Sequence, residues 1–309
     1  MMGERNFLCS AAASPRFCGL SDFRRRLLAS VLLIPSFAFA QSDSTSRAWN
    51  QPVKPYRVIG NIYYVGAAEV SSFLITTPQG HILLDSGFAE TVPLIRDNLA
   101  KLGFRLEDIK ILINSHAHYD HCGGLAELKE LTGAKLAASE ADAALLARGG
   151  KDDFQWGDRF AYRPVTVDRA LRDKDTVELG GVVMTARLTP GHTKGCTTWT
   201  MKVREGDRKL DVVFVGSASI PGYKLLGNAK YPRIAEDYAH TFEVLKGLKC
   251  DVFLAPHGSF FSMKEKMARA EKGDKDVFID PTGYRDYVAR AEKNYRDQLQ
   301  KEKQAKGSR

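Results

Sequence analysis

The chain has 309 residues, of which 44% are apolar and 27% charged, with a formal net charge of +8. That is the balance of a soluble globular protein. The positive surplus is modest and scattered, gathered only towards the C-terminal end. Without a concentrated basic stripe it describes a solvated surface, so nucleic acid is not an expected partner.

The N-terminus reads as an export signal. Arg24, Arg25 and Arg26 precede an apolar run from Leu27 to Phe39, and Ala38-Phe39-Ala40 offers a small-x-small cleavage pattern. Residues 1–40 are therefore expected to be removed between Ala40 and Gln41, leaving the mature protein in the periplasm. The run is too short for a permanent membrane span, which needs about 20 residues. General secretion and twin-arginine export both stay open, as does the true start codon. Cys9 and Cys18 leave with the signal, and Cys122, Cys196 and Cys250 can form at most one disulfide. This is no disulfide scaffold.

Residues 41–55 are polar and contain proline, and read as a flexible lead-in to one domain over 56–300. Short β-like runs follow at Arg57–Val65, Ser71–Thr76 and His81–Leu84, bounded by Gly or Pro. Thr91, Leu94, Ile95, Leu99 and Leu102 recur at helical spacing. A buried strand is expected at Ile109–Asn114, then a helix carrying Leu125, Leu128 and Leu131, and a strand at Lys135–Ala138. Ser139 is placed to cap a helix running through Leu146. The second half repeats the order, with strands at Val165–Val167, Val182–Leu188, Thr197–Val203 and Leu210–Val215. A helix over Ala235–Leu248 and a strand at Asp251–Ala255 follow. A last helix shows Tyr284, Val288, Ala291, Tyr295 and Leu299 on one face, and 301–309 reads as a polar tail. Two halves of strands-then-helices suggest two sheets packed face to face with helices outside, an α/β fold.

The chemistry concentrates in Asn114-Ser115-His116-Ala117-His118-Tyr119-Asp120-His121. Four possible metal ligands fall within six residues, between a buried strand and a helix. Alternating His116 and His118 can point the same way from extended backbone, with Asp120 and His121 on the turn. Imidazole and carboxylate are the ligands zinc takes at a hydrolytic site. Two further histidines follow strands directly: His192 in Thr189-Pro190-Gly191-His192, and His257 in Ala255-Pro256-His257-Gly258. His240, mid-helix, and His81, opening a strand, read as structural. Cys122 and Cys196 read as small packed residues.

In order and spacing, His116-x-His118-x-Asp120-His121, Gly191-His192 and Pro256-His257 resemble the metallo-β-lactamase superfamily, and Leu84-Asp85-Ser86-Gly87 resembles that fold's first motif. The likeness covers nearly the whole exported chain. It implies a four-layer αββα sandwich with two zinc ions at one edge. His116, His118 and His192 would bind one zinc, and Asp120, His121 and His257 the other. Asp85 would hold the ligand loops in place.

Most members of the superfamily place a metal-bridging Asp at the end of the strand matching Leu210–Val215. Here that place is taken by Ser217. Asp120-His121 together with Ser217 resembles the third β-lactamase subclass, B-three. The likeness implies that Ser217 and Ser219 help hold a substrate carboxylate, and that Phe154 and Trp156 belong to a mobile loop flanking the active site. Some relatives cross-link the position of Cys250 to the C-terminal helix, which has no Cys here.

The expected activity is hydrolysis of the β-lactam amide, with two zinc ions per chain activating a shared hydroxide and Asp120 orienting it. The expected partner is a small-molecule β-lactam, and a monomer is favoured. Alternatives are another exported zinc hydrolase acting on lactones or thioesters, or a non-catalytic zinc-binding protein on the same fold. The sequence does not rank one β-lactam class over another.

Overall fold

The computed structural model describes residues 44–307. The expected export signal, with Cys9 and Cys18, lies outside them.

The first sheet has seven strands hydrogen-bonded in sequence order: β1 (Tyr56–Ile59), β2 (Ile62–Tyr64), β3 (Phe73–Thr77), β4 (Gly80–Leu84), β5 (Ile109–Ile113), β6 (Lys135–Ser139) and β7 (Arg169–Leu171). The second has five: β8 (Thr176–Leu179), β9 (Val182–Leu188), β10 (Thr197–Glu205), β11 (Arg208–Phe214) and β12 (Val252–Leu254), in the order 12-11-10-9-8. Side chains alternate across a strand, and the first sheet is apolar on both faces. Phe73, Ile75, Ile82, Leu84 and Ile113 enter the core shared with the second sheet. Leu74, Leu83 and Leu112 pack instead against helices Val92–Lys101, Leu125–Thr132 and Glu140–Ala147. Helices Ile234–Gly247 and Pro281–Gly307 close the far side, with Tyr238, Phe242, Tyr284 and Tyr295 in the larger core. This is the αββα sandwich. Trp199 of β10, fully buried, lies at its centre.

Strands β4, β5, β6 and β7 are parallel neighbours, so each connection crosses over through a helix and returns the chain to the same edge. In the second sheet β9 and β11 each run antiparallel to β10, and β12 runs parallel to β11. The loops after β9, β11 and β12 thus leave one edge together. Loops beyond the carboxyl ends of strands are where open α/β sheets hold ligands. His116, His118, His192 and His257 lie on such loops, and Asp120 and His121 on the short helix Tyr119–Cys122 that follows one.

Several expected elements are corrected. The run Arg57–Val65 is a hairpin, because Gly60 at φ +52° turns the chain between β1 and β2. The strand expected at Val165–Val167 starts later, at β7, where the Asp168 carboxylate accepts from Leu136 N at 2.8 Å and opens the pairing with β6. Strand β8 and the helix Met263–Glu271 carry no clean periodicity and were not anticipated. The expected flexible lead-in is structured where it is described. Residues 44–49 are helical, Ala68 N donates to Gln51 O at 2.9 Å, and Thr91 Oγ1 donates to Asn50 at 2.6 Å. The polar tail is also helical as far as Gly307, and the Glu302 carboxylate accepts from Leu225 N and Leu226 N. Polarity hid both segments: the tail is held through Glu302 to distant backbone amides, and the lead-in by scattered hydrogen bonds and by Trp49 against Ala67, Val70 and Phe88.

Candidate metal centre

Residues 114–117 link β5 to the short helix Tyr119–Cys122, and their peptide groups are tied from all sides. Asn114 O accepts from the Trp199 indole at 2.9 Å, Ser115 N donates to Asp85 Oδ1 at 2.6 Å, and Ser115 O accepts from Thr197 N at 2.8 Å. Ala117 N donates to Asp142 Oδ2 at 2.9 Å, and Ala117 O accepts from Tyr162 OH at 3.0 Å. Buried backbone left unpaired is costly, so this lattice fixes the loop's shape. Asp85 itself sits at φ +62°, a left-handed conformation that Asp tolerates better than most residues.

From this loop His116 and His118 point into a cluster that His121, Asp120, His192 and His257 complete. His118 Nδ1 and His192 Nε2 stand 3.1 Å apart, and His121 Nε2 and His257 Nε2 stand 3.2 Å apart. Asp120 Oδ2 lies 3.3 Å from His121 Nε2 and 3.7 Å from His257 Nε2. Ligand atoms of His116, His118 and His192 all fall within 4.8 Å of one another, as do those of His116, Asp120 and His121. A tetrahedral zinc with bonds of about 2.0–2.1 Å separates its ligand atoms by roughly 3.3 Å, so the observed nitrogen pairs have the spacing of ligands on one ion. His116 Nε2, inside both groups, is buried without a hydrogen-bond partner. A buried polar atom with no partner is destabilising, and a cation bound there would remove the penalty. The donor set fits zinc.

The ring tautomers agree. His192 Nδ1 faces Ser219 O at 2.9 Å and donates to it, which leaves the Nε2 lone pair turned inward. His116 Nδ1 meets Ser115 Oγ at 3.0 Å, with Nε2 again inward. Gly191 allows this placement of His192: its φ is +132°, and a Cβ there would meet the Tyr238 ring at 2.7 Å.

Burial, with the neighbouring imidazoles, drives the His116 pKa well below the ordinary value. Burial takes His118 to about 4, and His192 and His257 to about 3. Neutral rings are the form that binds metal. For Asp120, burial would raise the carboxyl, but His121, His257 and His118 outweigh it and hold it well below the usual range. His121 is pulled down by burial and up by Asp120 and Asp85, with a net rise.

A family model described as the metallo-beta-lactamase superfamily matches residues 65–257. This chain belongs to that superfamily. Among solved structures, the native FEZ-1 metallo-beta-lactamase from Legionella gormanii is 43% identical with a TM-score of 0.81, covering 82% of this chain and 98% of its own. BJP-1, a subclass B3 metallo-beta-lactamase of Bradyrhizobium japonicum, is 40% identical at a TM-score of 0.79, covering 83% and 97%. A more distant curated relative, the acyl-coenzyme A thioesterase MBLAC2 of Bos taurus, is 26% identical over 213 residues, 59% of this chain and 69% of its own length. With its metal-binding His/Asp cluster, the chain is thus a zinc-dependent hydrolase of the superfamily.

Beside it opens a cleft of about 370 Å³ walled by Trp49, Trp156, Phe160, Tyr223 and Phe260, with His118, Asp120, His192 and His257 at its base. The structure sorts the expected substrate contacts. Trp156 and Ser219 line the cleft. Phe154 does not: its ring is packed edge-on against Tyr223 and Tyr231, each at 5.0 Å between centroids. Ser217 is 2% exposed and reaches the cleft only through Ser219, its Oγ 3.2 Å from Ser219 Oγ. Cys122 and Cys196 are buried free thiols, outside both groups of convergent metal ligands. His81 packs edge-on against Phe104, and His240 lies exposed on helix Ile234–Gly247, both away from the cluster.

Sequence reasoning missed Asp142. It is 1% exposed, and its carboxylate accepts from Ala117 N, from Thr193 Oγ1 at 3.1 Å and from Gly195 N at 3.1 Å. It therefore joins the loop carrying His116 and His118 to the loop carrying His192. Burial raises its pKa to about 7. Its only sequence signal was Ser139-x-x-Asp142, which also reads as a helix-capping box. Ser139 Oγ does accept from Asp142 N at 3.3 Å. Trp49 was missed as well. It stacks edge-on against His257 at 5.0 Å, from a segment expected to lack structure.

Proposed function

We propose that this chain hydrolyses the amide of a β-lactam ring, with His116, His118 and His192 holding one zinc ion and Asp120, His121 and His257 a second. The observation that carries this reading is Ser217. By the family resemblance it stands at the sequence position where most superfamily members carry a metal-bridging Asp, so no carboxylate is supplied there, and its Oγ lies 3.2 Å from the Ser219 hydroxyl that lines the cleft. The 43% identity to the native FEZ-1 enzyme across 98% of its length supports it.

Zinc in such a site lowers the pKa of a bound water to about 7 and polarises a carbonyl oxygen. The chain's own groups do the rest. Asp120, held ionised by His121, His257 and His118, accepts a hydrogen bond from the attacking water and orients it. Ser219 Oγ, at the rim, donates to the substrate carboxylate. Trp49, Trp156 and Phe260 cover the apolar substituents and exclude water. Asp85 and Asp142 hold the ligand loops at fixed spacing. The protein acts in the periplasm after removal of residues 1–40, as a monomer.

The thioesterase name of the 26% relative favours a second reading, cleavage of a thioester or lactone. Turnover of a β-lactam panel, a lactone and a thioester by the mature protein, with and without a chelator, separates the two. β-Lactams cleaved fastest in a chelator-sensitive manner support the proposal. A thioester or lactone cleaved while every β-lactam survives overturns it.

A further inference from the structure

The cleft does not end at Ser219. Ser219, Ser259 and Phe260 also line a second groove, of about 420 Å³, which continues between the loop after β11 and helix Pro281–Gly307. Its walls are anchored. Ala218 N donates to Tyr287 OH at 3.2 Å, and Gln298 Nε2 donates to Tyr223 O, so the helix is tied to the loop at both ends of the groove.

The two compartments differ in charge. The metal cleft is lined by Glu69, Asp120 and Asp153. The groove has no acidic lining residue, and its polar groups include Arg290, Asn294 and Ser259. Arg290 is exposed, and among the described residues it forms no ion pair. Further along the same helix Arg296 pairs with Glu292 at 2.6 Å and Lys293 with Asp297 at 2.6 Å, while Arg285, bonded only to Thr282 Oγ1 among the described residues, lines a different cavity. Ser259 Oγ donates to Glu69 at the mouth shared with the cleft, so within the groove Arg290 and Asn294 are the side chains left to meet an anion, and a guanidinium suits a planar carboxylate.

We infer that the groove is an anion subsite, in which Arg290 holds a carboxylate on an outlying substituent of the substrate, beyond the carboxylate held at Ser219. This rests on the β-lactam reading and narrows its substrate class to β-lactams carrying a second anion. Because Arg290 faces solvent, its attraction is screened by salt and its effect falls on KM rather than kcat.

The test compares two β-lactams that differ only in one substituent, ending in a carboxylate in one and a methyl amide in the other. The wild type is expected to favour the carboxylate by about three- to tenfold in kcat/KM at low salt, through KM. Arg290→Gln should abolish that preference and Arg290→Glu should reverse it. Arg285→Gln, on the same helix but facing a different cavity, should keep it. A wild type that cleaves both without preference, or a preference that survives Arg290→Glu, overturns the subsite while leaving the β-lactam reading in place. A wild type that cleaves neither overturns both.

Discussion

The carbonyl oxygen of Ser219 accepts two hydrogen bonds, from His192 Nδ1 at 2.9 Å and from Tyr238 OH at 2.6 Å. One residue thus divides its work. Its backbone sets the tilt of a metal-binding imidazole, and its hydroxyl faces the cleft. Ser219→Ala keeps the carbonyl but removes the hydroxyl, together with its 3.2 Å contact to His192 Nδ1. It is expected to raise KM for a β-lactam by about three- to tenfold with kcat less affected, as for loss of one hydrogen bond to an anion. Tyr238→Phe disturbs the first role and should lower zinc affinity with little change in KM. Steady-state kinetics with a zinc-competition titration distinguishes these outcomes.

Asp142→Asn keeps the shape of the side chain but turns an NH2 group towards a backbone or hydroxyl donor. At best it leaves Gly195 N facing another donor. The loops of His116 and His192 then lose their common anchor, and zinc affinity should fall about 10- to 100-fold, as when an outer partner of a ligand is removed. Competition with a chromophoric chelator measures this. Unchanged affinity would show that the loops hold their spacing without Asp142.

Removal of metal should abolish activity and lower the melting temperature, both restored by zinc, since an ion bound only to the folded chain stabilises it by mass action. Elemental analysis of the active protein is expected to give about two zinc ions per chain. His192→Ala should stay folded by circular dichroism yet lose most activity.

The metal-free protein should lose stability as pH falls from about 6.5 towards 4. In that window the unfolded chain protonates His116, His118, His192 and His257, while the folded chain keeps them neutral because burial lowers their pKa values. Asp85 and Asp142 oppose this. Burial raises them to about 6 and about 7, so the folded chain binds their protons first. His121 opposes it too, since burial lowers its pKa but Asp120 and Asp85 raise it further. Four groups outweigh three, so the unfolded state binds more protons and stability rises with pH. Denaturant midpoints at pH 4.5 and 6.5 in the presence of chelator test the sign. A higher midpoint at the lower pH would contradict it.

The run His116, His118, Asp120 and His121 was legible from the sequence alone, because these are neighbours on one loop and their convergence needs only a strand running into a turn. His192 and His257 joined it as ligands through the family resemblance. The strands-then-helices order of the two halves also pointed to two sheets face to face with helices outside, and the resemblance implied the αββα sandwich. Only the tertiary structure decided which residues brace and wall the site. Asp142 meets Thr193, 51 positions away, and Trp49 meets His257 through a segment too polar to signal a buried role. Phe154 and Trp156 are two residues apart with the same aromatic character, yet one packs between tyrosines and the other faces the cleft. Local pattern reports which side chains can bind a metal or bury apolar area. Which of them face each other across a cleft depends on how the two sheets stack, and that is set by long-range packing that no short window of sequence contains.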